Sequence, residues 1–199
     1  VHAIHGILKQ YWGFDKFRPL QEEIIHSVLE GKDTLALLPT GGGKSICFQV
    51  PAMAMEGVCL VISPLIALMK DQVYNLQLKG IKAVAVYSGL PHRVSEALLD
   101  SCVFGQTKFL YISPERLASD DFRERMQRMK ICLLAVDEAH CISQWGYDFR
   151  PQYTKIAEVR EKLTKVPVIA LTATATPKVV DDIQDKLLFR KKLVLQQSF

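Results

Sequence analysis

The chain has 199 residues, 49% hydrophobic and 23% charged, which suits one globular domain with length enough to bury a core. A formal charge of +4 and an isoelectric point near 8.8 permit a nucleic-acid partner without requiring one. No apolar run approaches a membrane span and no signal peptide is visible, so no membrane is expected among the partners. The five cysteines, Cys47, Cys59, Cys102, Cys132 and Cys141, are scattered and mostly apolar in context, as expected of buried thiols in a reducing compartment. No zinc is expected: His140 and Cys141 are adjacent and lack further partners at ligand spacing.

In chain order, the first chemically suggestive segment is Phe14-Asp15-Lys16-Phe17-Arg18-Pro19-Leu20-Gln21. Gln21 offers a donor and an acceptor to an adenine edge, and Phe14 or Arg18 could stack on the base. The same stretch, running on to Ile24, Ile25, Val28 and Leu29, also describes an amphipathic helix entering a core.

A short apolar run at 34–38 then leads into Thr40-Gly41-Gly42-Gly43-Lys44-Ser45. Consecutive glycines let backbone N–H groups wrap a polyphosphate, Lys44 adds a point charge for the outer phosphates, and Ser45 a hydroxyl for Mg²⁺. The strict phosphate-loop pattern asks for Gly where this chain has Leu38. A packed helix is expected over 44–54, kinked or shortened by Pro51.

Further strands are expected at 58–63, 82–87, 109–112, 133–137 and 168–172, with a weaker one at 193–196, and helices over 65–78 and 152–163. Ser63-Pro64 and Ser113-Pro114 each end a strand and open a helix, as does Thr176-Pro177 after its loop. Capping explains these serines, and helix N-termini at that edge also suit the phosphates of a polymer.

The strand at 133–137 runs into Asp137-Glu138-Ala139-His140. Asp137 would hold Mg²⁺ opposite Ser45, and Glu138 would orient or deprotonate water. His140 either fills a local hydrogen bond or relays to Thr172 and Thr174. The following loop, 141–151, carries Trp145, Tyr147, Phe149 and Arg150, broken by Gly146 and Pro151. Such aromatics either stack on single-stranded bases or fold back onto the core; the second is expected of Tyr147, the first of Trp145, Phe149 and Arg150.

Strands alternating with helices predict an α/β domain: a mostly parallel sheet with helices on both faces, whose strand order is not readable from the pattern. Residues 1–199 read as one domain, with 1–32 an N-terminal helical segment. In a parallel sheet the loops at 40–45, 137–140 and 172–174 all leave the same edge.

Taken together, these segments resemble the first RecA-like, P-loop NTPase domain of a RecQ-family DNA helicase, over nearly the whole chain. Ser63 to Gln72 and Ser113 to Leu117 are similar to further family motifs, and the acidic box running into the aromatic loop is the most diagnostic segment. Leu38 is a normal departure in that superfamily. The resemblance implies an ATP- and Mg²⁺-dependent, 3′-to-5′ helicase acting on single-stranded and forked DNA in recombination or repair. It assigns adenine contacts to Phe14, Arg18 and Gln21, phosphates to Thr40 through Ser45, metal to Ser45 and Asp137, and chemistry to Lys44, Asp137, Glu138 and His140. DNA contact or coupling falls to Ser63, Pro64, Ser113, Trp145, Phe149, Arg150, Thr172 and Thr174. The family's second RecA-like, zinc-binding and winged-helix domains have no counterpart in these residues, so on this reading the 199-residue chain is a piece that grips ATP, turns it over very slowly and does not unwind DNA. The expected compartment is the bacterial cytoplasm, at the nucleoid, or the eukaryotic nucleus. An RNA helicase or translocase of the same superfamily, and a nucleotide-gated binding module without turnover, are the competing functions.

Overall fold

The computed structural model describes residues 3–39, 43–173 and 175–197; Thr40, Gly41, Gly42 and Thr174 lie outside them. Helix α1 (Ala3–Ile7) passes into a π-helical turn (Leu8–Trp12) and is followed by α2 (Gln21–Leu29). Then come β1 (Thr34–Leu37), α3 (Ile46–Met53), β2 (Val58–Ile62), α4 (Ile66–Leu78), β3 (Ala83–Val86), α5 (His92–Phe104) and β4 (Phe109–Ile112). A 3₁₀ turn (Pro114–Ala118) leads to α6 (Asp120–Met126) and β5 (Ile131–Val136), and two more 3₁₀ turns (Ala139–Ile142, Pro151–Tyr153) lead to α7 (Thr154–Glu161). The chain continues through β6 (Val168–Thr172), α8 (Pro177–Lys186) and β7 (Val194–Gln196).

The seven strands form one sheet in the order β3-β4-β2-β5-β6-β1-β7, and every pairing is parallel. Alternate side chains go to opposite faces. Leu35, Leu37, Leu60, Ile62, Leu134, Val136, Val168 and Ala170 meet Leu99, Phe122, Ile156, Val179 and Ile183 of α5 to α8. On the other face Ala36, Cys59, Val61, Leu133, Ala135, Ile169 and Leu171 meet Ile24, Val28, Phe48, Met69 and Val73 of α2 to α4. Burial on both faces is why the central strands read as continuous apolar runs rather than alternating ones. The expected α/β architecture, with helices on both faces, is therefore the observed one.

The helix expected over 44–54 runs from Ile46 to Met53, with Pro51 inside it. Two expectations need correction. Ser63 is not the cap of α4, which begins at Ile66 with Leu65 in the cap position. Ser113 precedes a 3₁₀ turn rather than an α-helix, and makes no side-chain cap bond there. Thr176 does cap α8, accepting a hydrogen bond from the Val179 N–H at 3.4 Å, with Pro177 at the first helical position.

The sheet edge away from the glycine loop is tied by a buried ion pair. Arg160 of α7 donates to Asp33, just before β1, at 3.1 Å, with both side chains essentially inaccessible. Asp33 also accepts from the backbone N–H of Val168 and from Arg190, while Arg160 donates to the carbonyls of Leu163, Val166 and Leu187. These bonds fasten the starts of β1 and β6 to α7 and to the chain after α8.

Candidate functional site

The carboxyl ends of the central strands align: Leu37 pairs with Thr172, Ala170 with Val136, Val136 with Ile62, and Ile62 with Ile112. The loops that follow β1, β5, β6 and β2 therefore start from one row. Between the first two lies a cleft of about 410 Å³ lined by Gly43, Lys44, Ser45, Phe48, Leu68, Gln72, Asp137 and Glu138. Lys44 Nζ lies 3.3 Å from Glu138 Oε1 and 4.0 Å from Asp137 Oδ1.

Each of these groups is held by its own backbone context. Ser45 sits at the N-cap of α3 and makes no side-chain cap bond there. Glu138 adopts a left-handed conformation, φ 49° and ψ 47°, which a non-glycine residue holds only at a cost of about 1–3 kcal/mol. Its N–H donates to Asp137 Oδ1 at 2.9 Å, and the buried Tyr153 hydroxyl donates to the Asp137 carbonyl at 2.9 Å. Burial raises the Asp137 carboxyl above the ordinary aspartate range; the Lys44 charge opposes this and the Glu138 charge adds to it. Two carboxylates and a hydroxyl form a hard-oxygen donor set of the kind Mg²⁺ takes, and Lys44 beside them is a partner for phosphate.

Gln21 is buried: its Oε1 accepts from the Arg18 backbone N–H at 2.8 Å, and its Nε2 donates one of its hydrogens to the Gly43 carbonyl at 3.0 Å. Gly43 has φ +73°, a conformation that favours glycine, and a β-carbon there would stand 2.5 Å from Gln21 Nε2 and displace that amide. The segment expected to meet adenine is thus bonded to the glycine loop, with Arg18 and Phe14 exposed beside it.

His140 is buried, with Nδ1 at 2.7 Å from Thr172 Oγ1 and 3.6 Å from Glu138 Oε2. Burial holds its imidazole below the usual histidine range, against the pull of Glu138 and Asp148, so the ring is neutral at neutral pH. His140 is thus hydrogen-bonded to Thr172 and stands beside Glu138 without a hydrogen bond to it, between the ends of β5 and β6.

The aromatic loop projects beyond this path. Trp145 is 62% exposed, and Lys178 of α8 places Nζ 3.3 Å from the centroid of its ring. Tyr147 does not fold into the core as expected: it is 77% exposed and lies flat on the His140 ring, with centroids 4.7 Å apart and planes 15° from parallel. A β-carbon on Gly146 would come 2.9 Å from the His140 carbonyl, so the loop hugs the acidic turn at that point. Phe149 is half-buried, and Arg150 pairs with Asp148 at 3.4 Å. Asp148 also corrects the expectation that His140 and Cys141 lack a nearby partner: one ligand atom from each of the three lies within 4.8 Å of the others. Burial pushes the Cys141 thiol up to about 12, so it stays protonated.

Ser63 and Ser113 reach the same edge but are buried, with Pro64 partly open; the Ser113 hydroxyl meets no hydrogen-bond partner among the described residues. Lys178 escaped the sequence reading, and Gln72 entered it only as the end of a family motif, with no role assigned. Gln72 lines the cleft and is held by the buried Tyr111 hydroxyl, which donates to its Oε1 at 2.7 Å and accepts from Gln49 Nε2 at 2.8 Å.

With this geometry in view, a family comparison is decisive: residues 18–183 match the DEAD/DEAH box helicase model, and the chain belongs to that family. Among curated relatives it is 46% identical over 180 residues to the probable ATP-dependent DNA helicase RecS of Bacillus subtilis, covering 90% of this chain and 36% of that protein. It is 45% identical to the ATP-dependent DNA helicase RecQ of Haemophilus influenzae, covering 89% of this chain and 29% of the other, and 46% identical to RecQ of Bacillus subtilis, covering 100% and 34%. The chain thus spans about a third of the length of these curated relatives. Two solved structures share the RecA-like fold: a hypothetical ATP-dependent RNA helicase from Sulfolobus tokodaii (TM-score 0.74, 17% identity, 98% of this chain and 57% of that one) and the Pyrococcus furiosus Hef helicase domain (0.70, 20%, 92% and 39%). No described helix is long and apolar enough to cross a membrane.

Proposed function

We propose that this chain is the ATP-binding motor module of a RecQ-type, 3′-to-5′ DNA helicase, coupling ATP hydrolysis to movement along single-stranded DNA and to opening of forked duplexes. The observation that carries the proposal is the Lys44–Asp137–Glu138 cleft with His140 beside it: the His140 carbonyl accepts from the Ser143 N–H, and Ser143 Oγ accepts from the N–H of the exposed Trp145 at 3.2 Å. The similarity to RecQ and RecS proteins supports the choice of DNA.

In this reading Lys44 leaves the carboxylates for the outer phosphates when nucleotide enters, since a phosphate offers more charge than Glu138. That frees Glu138 to orient and accept a proton from the attacking water. Ser45 and Asp137 would hold Mg²⁺, which on binding supplies charge neutralisation at the phosphates. Phe14, Arg18 and Gln21 receive the adenine; because Gln21 already grips Gly43, base binding and the shape of the phosphate loop are linked. Neutral His140 passes the state of Glu138 to Thr172 and, through Tyr147 and the Gly146 turn, to Trp145, Phe149 and Arg150. Ser63, Pro64 and Ser113, with Thr174, complete the DNA-facing edge. A second RecA-like domain in the complete protein closes the nucleotide site, and the expected setting is DNA repair or recombination, in the bacterial cytoplasm or the eukaryotic nucleus.

The competing RNA-directed reading is separated by comparing single-stranded DNA and RNA of equal length as stimulators of the complete protein's ATPase. DNA stimulating strongly and RNA weakly is expected; equal or greater stimulation by RNA would reject the assignment.

A further inference from the structure

The aromatic loop has a cation seated on it that comes from elsewhere in the chain. Lys178 stands in the first turn of α8, 33 positions after Trp145, and its ammonium lies over the indole at 3.3 Å. Its neighbours explain why it is there. The acids of α8 are engaged by other lysines: Asp182 by Lys186 at 2.9 Å, Asp181 and Asp185 by Lys192 at 3.5 and 3.2 Å. Arg150, the cation within the loop itself, is compensated by Asp148. Among the described residues no carboxylate pairs with Lys178, so the π-face of Trp145 is its electrostatic partner. Helix α8 packs against the Ala139–Ile142 turn, which fixes the base of the helix relative to the loop.

We propose that Lys178 and Trp145 together form a subsite for one nucleotide of single-stranded DNA, the base stacking on the indole and the ammonium transferring from the ring to that nucleotide's phosphate. The inference rests on the reading of Trp145 as a DNA contact. Without DNA, the ammonium satisfies a ring that would otherwise present a bare apolar face to water. A stacking base needs that face, and it brings with it a full negative charge that an ammonium prefers to a ring quadrupole. The exchange keeps Lys178 partnered in both states and releases a counterion from the strand, which makes its contribution visible in the salt dependence of binding.

The test measures anisotropy of a fluorescently labelled oligothymidylate bound to the complete protein across a salt series, with wild type, Lys178→Gln, Lys178→Arg and Trp145→Ala, each checked for folding by circular dichroism. Lys178→Gln is expected to weaken binding and to flatten the slope of log K against log salt by about 0.7, the loss of one phosphate contact on a single strand. Lys178→Arg is expected to keep the wild-type slope. A Lys178→Gln protein with an unchanged slope, or with tighter binding, would overturn the proposal by making the ammonium a lid on the ring and nothing more. Undiminished binding by Trp145→Ala would instead strike the underlying reading of the loop.

Discussion

Lys44 and Glu138 are 94 positions apart in sequence and meet with Nζ 3.3 Å from Oε1, at the head of a cleft that also holds Asp137. The contact gives the ammonium a counterion, and on the proposed reading an incoming phosphate displaces the carboxylate from it. Lys44→Ala should therefore lower ATP turnover by about 10²-fold or more, whether or not DNA is present, as expected when a principal charge at the phosphates is removed.

The same variant should change the pH dependence of stability. Asp137 already has a raised carboxyl through burial, and Lys44 is the charge that opposes it. A raised folded-state value means the native protein holds its proton after the unfolded chain has lost its own, so stability is lost as pH rises through that value. Removing Lys44 raises Asp137 further and widens this window upward from the ordinary aspartate value. Thermal melts of Lys44→Ala from pH 4 upward should fall away from wild type as pH rises; parallel curves would show that the two groups do not sense each other.

His140 has the opposite sign. Its imidazole is lowered by burial, so the unfolded chain binds a proton first on acidification. Its contribution is intact above the ordinary histidine value of about 6.5 and is lost as pH falls from there toward the lowered folded-state value. His140→Gln should flatten that part of the stability profile, while Thr172→Val, which removes the 2.7 Å bond to Nδ1, should cost about 1–3 kcal/mol at neutral pH in urea melts.

The distant sheet edge is predicted to matter for stability alone. Asp33→Ala leaves the buried Arg160 guanidinium with carbonyl acceptors but without its carboxylate, and should cost about 3–5 kcal/mol in chemical denaturation. The nucleotide affinity of the protein that remains folded should be unchanged; a large fall in that affinity would mean the two edges are mechanically linked.

Gly146→Ala tests the fit of the aromatic loop against the acidic turn. The added methyl meets the His140 carbonyl at 2.9 Å, so the loop must move. Stimulation of ATPase by single-stranded DNA should fall more than the unstimulated rate; equal reductions would show that the loop's position has no bearing on coupling.

What could be read from the chain was whatever local chemistry marks. The central strands announced themselves as doubly buried apolar runs, and Gly43, Lys44, Ser45, Asp137 and Glu138 as loop residues at their carboxyl ends. Strand order was illegible because it depends on which crossover packs where, and the order found separates β1 from β5 by β6. Pairings between distant residues left no local trace: Asp33 with Arg160, Trp145 with Lys178, Gln49 with Tyr111 and Gln72. Ser63 looked like a helix cap because Pro64 follows it, yet the helix starts at Ile66. Tyr147 looked destined for the core because nothing in sequence shows that the buried His140 presents a ring face to it.

The central claim is that ATP hydrolysis at Lys44, Asp137 and Glu138 answers to DNA through the loop that carries Trp145. The most direct measurement is the ATPase rate of the complete protein with and without single-stranded DNA, for wild type and Trp145→Ala. The account predicts that wild type is strongly stimulated and that Trp145→Ala keeps its unstimulated rate but loses most of the stimulation. A Trp145→Ala protein stimulated as fully as wild type would contradict it.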